Sequence, residues 1–171
     1  MILVAIGANL PMPDGGTPLR SCMAAAAAVR AIPGLDFVAL SPWYRTSPIP
    51  RADQPDYCNG MIRLEGQITP DLLLGRLQKI EQEFGRERGA RNAARVIDLD
   101  IIGLNGIIRA VPDPVLPHPR AHHRAFVLRP LLDVAPAWRH PVLRRSVATL
   151  LAELPPQPIR PWVEDEASPA G

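Results

Sequence analysis

The stretch Arg95 to Ile101, R-V-I-D-L-D-I, with Asn105-Gly106 close behind it, constrains this chain more than any other. Asn-Gly is the strongest short hairpin signal, so Val96 to Leu104 and Ile107 to Arg109 are expected to pair antiparallel around it. Side chains two apart on a strand share a face, which points Asp98 and Asp100 one way and Ile97, Leu99 and Ile101 the other. Aspartate is a poor strand former, and two on one short strand need a reason. A hard divalent cation is one: Mg²⁺ takes one or two carboxylates and completes its shell with water and phosphate oxygens, and a carboxylate pair can hold two such ions. The wet face of an edge strand is the other, and for the pair alone it is the commoner case. A calcium EF-hand is excluded, because Ile102 stands where a third oxygen ligand belongs and no Glu closes the loop.

Around this strand the chain alternates strand and helix signals. Ile2 to Ile6 is an unbroken apolar run ending at Gly7, a buried strand. Thr17-Pro18 and Thr69-Pro70 are cap-plus-proline helix starts, and Asp71 favours the second dipole. The first helix should stop near Pro33 and Gly34. In the second, Leu73, Leu77, Ile80 and Phe84 make one apolar stripe, with Gly85 as its stop and Glu81 beside it, either at a pocket rim or simply near a solvated helix end. Phe37 to Tyr44 reads as a second strand, Thr46 to Tyr57 as a long loop, and Met61 to Leu64 as a third strand. Pro112, Pro114, Pro117 and Pro119 should keep the chain extended, and Pro119 should open a helix capped by His118. Ser146 caps a last helix bearing Val147, Leu150, Leu151 and Leu154. The expected fold class is α+β, a mostly antiparallel sheet with helices packed on it. Residues 1–155 should form one domain, and 156–171 a loose Pro-rich tail.

Composition narrows the function classes. With 171 residues, 47% hydrophobic and 21% charged, the chain suits one buried core. A net charge of +2 does not argue for nucleic acid. The start lacks a positively charged leader and no run is long enough to span a bilayer, so no membrane partner is expected. Cys22 and Cys58 lack metal or redox spacing, which suits reduced packing residues in a cytoplasmic protein. Lys79 is the only lysine, and arginines gather in two basic stretches. The first, Arg86, Arg88, Arg91 and Arg95, runs directly into the aspartates. The second runs from Pro114 to Leu132 without an acid and carries His118, Arg120, His122, His123, Arg124 and Arg129. A solvated charge run is the default for such a stretch, but mobile cations beside a metal site suit a polyphosphate. His118 and His122 lack a third zinc ligand. There is no P-loop, G-x-G-x-x-G or G-x-S-x-G element. The residues alone therefore reach a metal-dependent protein acting on phosphates, with a phosphohydrolase or nuclease and a non-catalytic binding module as the alternatives.

Several stretches taken together, I-G-A-N from Ile6, Y-R-T from Tyr44, D-Q-P-D-Y-C-N from Asp53, I-E-x-x-x-G-R from Ile80, D-L-D-I from Asp98 and P-H-P-R-A-H-H-R-A-F from Pro117, resemble the 6-hydroxymethyl-7,8-dihydropterin pyrophosphokinases of folate biosynthesis. That resemblance implies a ferredoxin-like fold, a monomer, ATP as co-substrate, two Mg²⁺ ions, and transfer of the β,γ-pyrophosphoryl group to the pterin hydroxymethyl oxygen with release of AMP. It implies Asp98 and Asp100 as magnesium ligands and Arg86 and Arg95 as catalytic cations. Arg88, Arg91, His118 and Arg124 join Arg86 and Arg95 as phosphate-facing groups, with Gln78, Glu81 and Ile101 near the nucleotide. For the pterin it implies Tyr57 and Phe126 as the stacking pair and Asn59 with Thr46, Ser47 and Ile49 as edge readers, with Gly7 and Asn9 nearby. Ala8, Gly89, the run Asn92-Ala93-Ala94 and His123 depart from the family's common pattern; the two aspartates do not.

Overall fold

The structure, a computed structural model, describes residues 1–12, 14–48, 53–85 and 96–163. In chain order its elements are β1 (Ile2–Ala8), α1 (Pro18–Arg30), β2 (Leu35–Leu40), β3 (Tyr44–Thr46), β4 (Tyr57–Gly66), α2 (Pro70–Glu83), β5 (Asp98–Leu104), α3 (Ala125–Val134), α4 (Val147–Glu153) and β6 (Ile159–Pro161). The sheet runs β5-β1-β4-β3-β6, with β2 on the same edge of β4 as β3. Every pairing is antiparallel. The frame β1-α1-β2-β4-α2-β5 in the order β5-β1-β4-β2 is the expected ferredoxin-like α+β arrangement.

The caps are where local chemistry puts them. Thr17 Oγ1 accepts from Arg20 N–H, Thr69 Oγ1 from Leu72 N–H and Ser146 Oγ from Thr149 N–H. Gly85 follows α2 at φ +79°, the left-handed stop that glycine allows.

Strand alternation divides the apolar residues between two layers. Val4, Ile6, Ile62, Leu99 and Ile101 face α1 and α2, meeting Cys22, Val29, Leu73 and Leu77. Leu3, Met61 and Ile102 face α3 and α4, meeting Leu128, Leu131, Val147 and Leu150. Leu73 is fully buried, and truncating it to Ala should cost about 2–5 kcal/mol.

Several expectations are corrected. The Asn105-Gly106 turn forms, with φ of +48° and +71°, but no strand follows it; β5 pairs with β1, and only Arg109 makes an isolated bridge, to Leu116. A tertiary partner a hundred residues upstream outcompetes the local hairpin. The strand expected over Phe37 to Tyr44 is two strands, β2 and β3, parted around Pro42, which has no N–H for a ladder. The strand expected over Met61 to Leu64 is the ten-residue β4, long enough to carry both on one edge. Residues 111–114 are bends rather than extended chain, with cis bonds before Pro112, Pro114 and Pro117. His118 does not cap a helix opened by Pro119: a single 3-10 turn, Ala121–His123, comes first, and α3 starts at Ala125. The tail is not loose throughout, because β6 pairs with β3 and Trp162 N–H bonds Trp43 C=O at 2.8 Å. Pro161 is tolerated there because β6 is an edge strand.

Candidate functional site

Asp98 and Asp100 open β5 and lie on the α3–α4 side of the sheet, since Leu99 and Ile101 fill the opposite core. In register, Gly7 stands opposite Asp98 on one side and opposite Asn59 on the other. A Cβ on Gly7 would come 3.0 Å from Asn59 Oδ1, so glycine leaves room for the Asn59 side chain. Asn59 Nδ2 donates to Thr46 Oγ1 at 2.7 Å, and both residues are buried. Tyr57, two residues before Asn59 on β4, shares its face and is half-buried. One end of this face therefore carries, from β5 across to β3, two carboxylates, a glycine, an amide and a hydroxyl.

Above it stands the chain from His118 to Phe126. His118 is tied to β5 by its N–H bond to Ile102 C=O at 3.0 Å. Its Nδ1 accepts from Arg120 N–H at 3.2 Å, which puts the proton of the neutral ring on Nε2. That nitrogen lies 4.0 Å from Asp100 Oδ2. The pair is no ion pair at neutral pH: burial first, then the guanidinium groups of Arg124 and Arg120, push the imidazole down to about 4 against the pull of Asp98. Arg124 is also lowered, by burial and by Arg120, against Asp100 and Asp98. Its guanidinium lies 5.3 Å from the centre of the Phe126 ring, and Phe126 packs half-buried at the rim of the α3–α4 core. Cations, carboxylates, a flat ring and an amide edge thus meet at one end of one face.

Other expected residues fall differently. Glu81 is 6% exposed, and its carboxylate accepts from the N–H of Leu99, the residue between the two aspartates, at 2.8 Å. It is a buried brace for β5 rather than a rim acid. Ile101 is 4% exposed in the core on the other side of the strand, which leaves little of it to wall a nucleotide. Gln78 is exposed on α2, one turn before Glu81, and Ser47 is exposed after β3. Asn9, fully buried, donates to Gln54 Oε1 and Pro55 C=O at 3.2 and 3.3 Å, so it anchors the loop leading into Tyr57. Ile49, Arg86, Arg88, Arg91 and Arg95 lie outside the described residues. Arg120, which the sequence marks only as a member of the second basic stretch, acts on both His118 and Arg124.

Among the described residues there is no group of three or more His, Cys, Asp or Glu side chains able to hold a metal. Two carboxylates on one strand face, with Asp100 41% exposed, fit a hard cation that draws its other oxygens from water and phosphate. No described helix is long and apolar enough to cross a membrane.

Comparison with known proteins bears on the same region. A family described as 7,8-dihydro-6-hydroxymethylpterin-pyrophosphokinase matches residues 3–136. A 2-amino-4-hydroxy-6-hydroxymethyldihydropteridine pyrophosphokinase from Pseudomonas aeruginosa is 39% identical over 154 residues, 90% of this chain and 91% of that protein. A folic acid synthesis protein from Schizosaccharomyces pombe is 33% identical over 92% of this chain, which spans only 21% of that longer protein. Among solved structures, the Plasmodium falciparum HPPK-DHPS wild type with pteroate superposes with a TM-score of 0.64 at 13% identity, covering 88% of this chain and 41% of that one. That last likeness is one of fold.

Proposed function

The chain belongs to the 7,8-dihydro-6-hydroxymethylpterin-pyrophosphokinase family and is a diphosphotransferase of folate synthesis with ATP as co-substrate; from that premise we propose that the end of the sheet bearing Asp98, Asp100 and Asn59 is where the two substrates meet. The observation that carries this reading is the convergence at one end of one face of two groups, the aspartates with His118 and Arg124, and Tyr57, Asn59 and Thr46 with Phe126, whose ring lies against Arg124. The first group has the charge for a metal-bound triphosphate, and the second the shape for a flat heterocycle with an amide-like edge.

In this reading the pterin lies between Tyr57 and Phe126, with its edge on Asn59. The Asn59 amide, already held by Thr46 and backed by Gly7, is pre-oriented to donate and accept in the plane of the ring. Arg124 and the neutral Nε2–H of His118 face the phosphate chain, joined by Arg86 and Arg95 from the first basic stretch. Asp98 and Asp100 would hold Mg²⁺, two ions in the fullest arrangement, which when bound supplies charge neutralisation along the triphosphate. Glu81 fixes the Leu99 backbone and with it the direction of both aspartates. The hydroxymethyl oxygen, giving up its proton to solvent, bonds the β-phosphorus as the bond from that phosphorus to the α-phosphate oxygen breaks, and AMP leaves with the electron pair. The protein's contribution is position and charge, with no covalent enzyme intermediate. We place the enzyme in the cytoplasm as a monomer, where the buried Cys22 and Cys58 stay reduced.

The test is AMP formation from ATP with Mg²⁺, in the presence and absence of the hydroxymethyl pterin. AMP that depends on the pterin supports the reading. Inorganic phosphate released at the same rate without pterin would favour a phosphohydrolase using the same aspartates.

A further inference from the structure

We infer that Gln157, beyond the stretch that the family match covers, is a positioning residue that sets the pterin-facing wall of α3 against the wall formed by β3 and β4. This rests on the placement of the pterin between Asn59 and Phe126 proposed above.

The first turn of α3, which carries Phe126, is poorly held from within. Its N-cap is Arg124, which makes no side-chain cap bond, and no acid stands in the first turn. Pro130 lies inside the helix and has no N–H to give the Phe126 carbonyl four residues earlier. Orphan groups at a helix start need partners from elsewhere.

Gln157 supplies one of them. Its Oε1 accepts from Ala125 N–H at 2.9 Å, and its Nε2 donates to His123 C=O at 3.0 Å. One amide thus bonds the residues on either side of Arg124, and the identity of its partners fixes which end is oxygen and which is nitrogen. Gln157 is itself held two residues ahead of β6, where Ile159 stands opposite Thr46. Thr46 carries the hydroxyl that orients Asn59. The path from Asn59 through Thr46, β6 and Gln157 to Phe126 is therefore continuous. It spans the two sides of the proposed pterin slot. Arg160, which lies 3.7 Å from Asp56, and Trp162, which stacks under Arg45 at 4.1 Å, fasten the same segment to the β3–β4 edge.

The experiment measures pterin affinity by fluorescence in the full chain, at saturating non-hydrolysable ATP analogue and Mg²⁺, together with melting temperature. Gln157→Ala should raise the pterin Kd about 3- to 10-fold, the net worth of a hydrogen bond or two in position, while the melting temperature falls by no more than a few degrees. Gln157→Glu, which keeps the acceptor for Ala125 N–H, should recover part of that loss. Glu153→Ala, which removes an exposed ion pair between α4 and Arg145 and lies outside this path, should leave pterin affinity unchanged. A Gln157→Ala protein that is less stable but binds pterin normally would mean a helix cap and nothing more, and would overturn the inference. Should that variant not fold, Gln157→Asn takes its place, because the shorter amide reaches neither partner: normal pterin affinity there overturns the inference, and weakened affinity supports it. Phe126→Ala separates the two levels: if it too leaves pterin affinity unchanged, the placement of the pterin is wrong, whereas a weakened Phe126→Ala beside a normal Gln157→Ala removes only the role of Gln157.

Discussion

The two ends of the sheet are built from the same three strands and treat charge in opposite ways. At the end where β1 begins and β4 and β5 finish, unlike charges meet. The Met1 ammonium lies 2.9 Å from Glu65 and donates to Asn105 Oδ1 at 2.7 Å, Arg63 reaches Glu65 at 3.1 Å, and Asn105 Nδ2 returns to Gly66 C=O at 3.0 Å. At the other end like charges crowd within each sign: two aspartates share one strand face, and their pull on His118 and Arg124 does not offset burial and the neighbouring Arg120, so both cations stay depressed. The first arrangement lowers the energy of the fold by itself. The second is a field that a metal-bound polyanion would relieve, which is the signature of a site rather than of a scaffold.

Removing an aspartate is the strongest way to test that contrast. Asp98→Ala and Asp100→Ala should each cut turnover by about 10²- to 10³-fold or more, as loss of an electrostatic group at a transferring phosphoryl does. Both proteins should remain folded, as circular dichroism would check, since neither carboxylate fills a core. Near-normal AMP release from both would end the metal assignment and with it the contrast.

Acid should act next most strongly, and differently at the two ends. Because His118 sits at about 4 when folded against an ordinary 6.5, the unfolded chain binds the extra proton between those values. Stability should therefore fall as pH drops from 6.5 to 4, by at most about 3 kcal/mol from this group, and level off below. The Glu65 carboxyl is held low by the Met1 ammonium, its largest influence, so its contribution is present above the ordinary carboxylate range and is lost only as pH falls below it. Denaturant titrations of the parent and of His118→Gln should separate the two; an identical slope between pH 4 and 6.5 in both proteins would remove His118 from the account.

Phe126→Ala should raise the KM for pterin about 10-fold through lost stacking, with the KM for ATP moving far less. An equal rise for both substrates would place the ring on the nucleotide side instead.

How far these features can be read from sequence depends on how local their causes are. Thr17, Thr69 and Ser146 announce their helices because a cap is settled within three residues. The shared face of Asp98 and Asp100, and that of Tyr57 and Asn59, follows from strand alternation alone. The partner of β5 did not: the Asn105-Gly106 turn argues for a neighbour, and only the competition from β1 decides against it. The start of α3 is hidden because Pro119 looks like a helix opener and the intervening 3-10 turn leaves no pattern. Hardest of all was β6, where four prolines between Pro155 and Pro161 read as loose chain, although an edge strand needs bonds on one side only. Resemblance named Phe126 and Asn59, but nothing in the sequence marks Gln157 or ties Glu81 to the Leu99 backbone.

The smallest effect is expected where the contrast is sharpest. Glu65 is 42% exposed, so its pairing with the Met1 ammonium and Arg63 is largely screened by water, and Glu65→Gln should cost only about 0.5 kcal/mol. The difference between the two proteins should shrink further in molar salt, because exposed ion pairs are attenuated beyond a few ångströms there. Turnover and both KM values should not change, since Glu65 lies at the far end of β4 from Tyr57 and Asn59 and β1 and β4 pair in unbroken register between them. A several-fold loss of turnover in Glu65→Gln at unchanged stability would mean that the ends communicate through β1 and β4, and the division between scaffold and site would have to be redrawn.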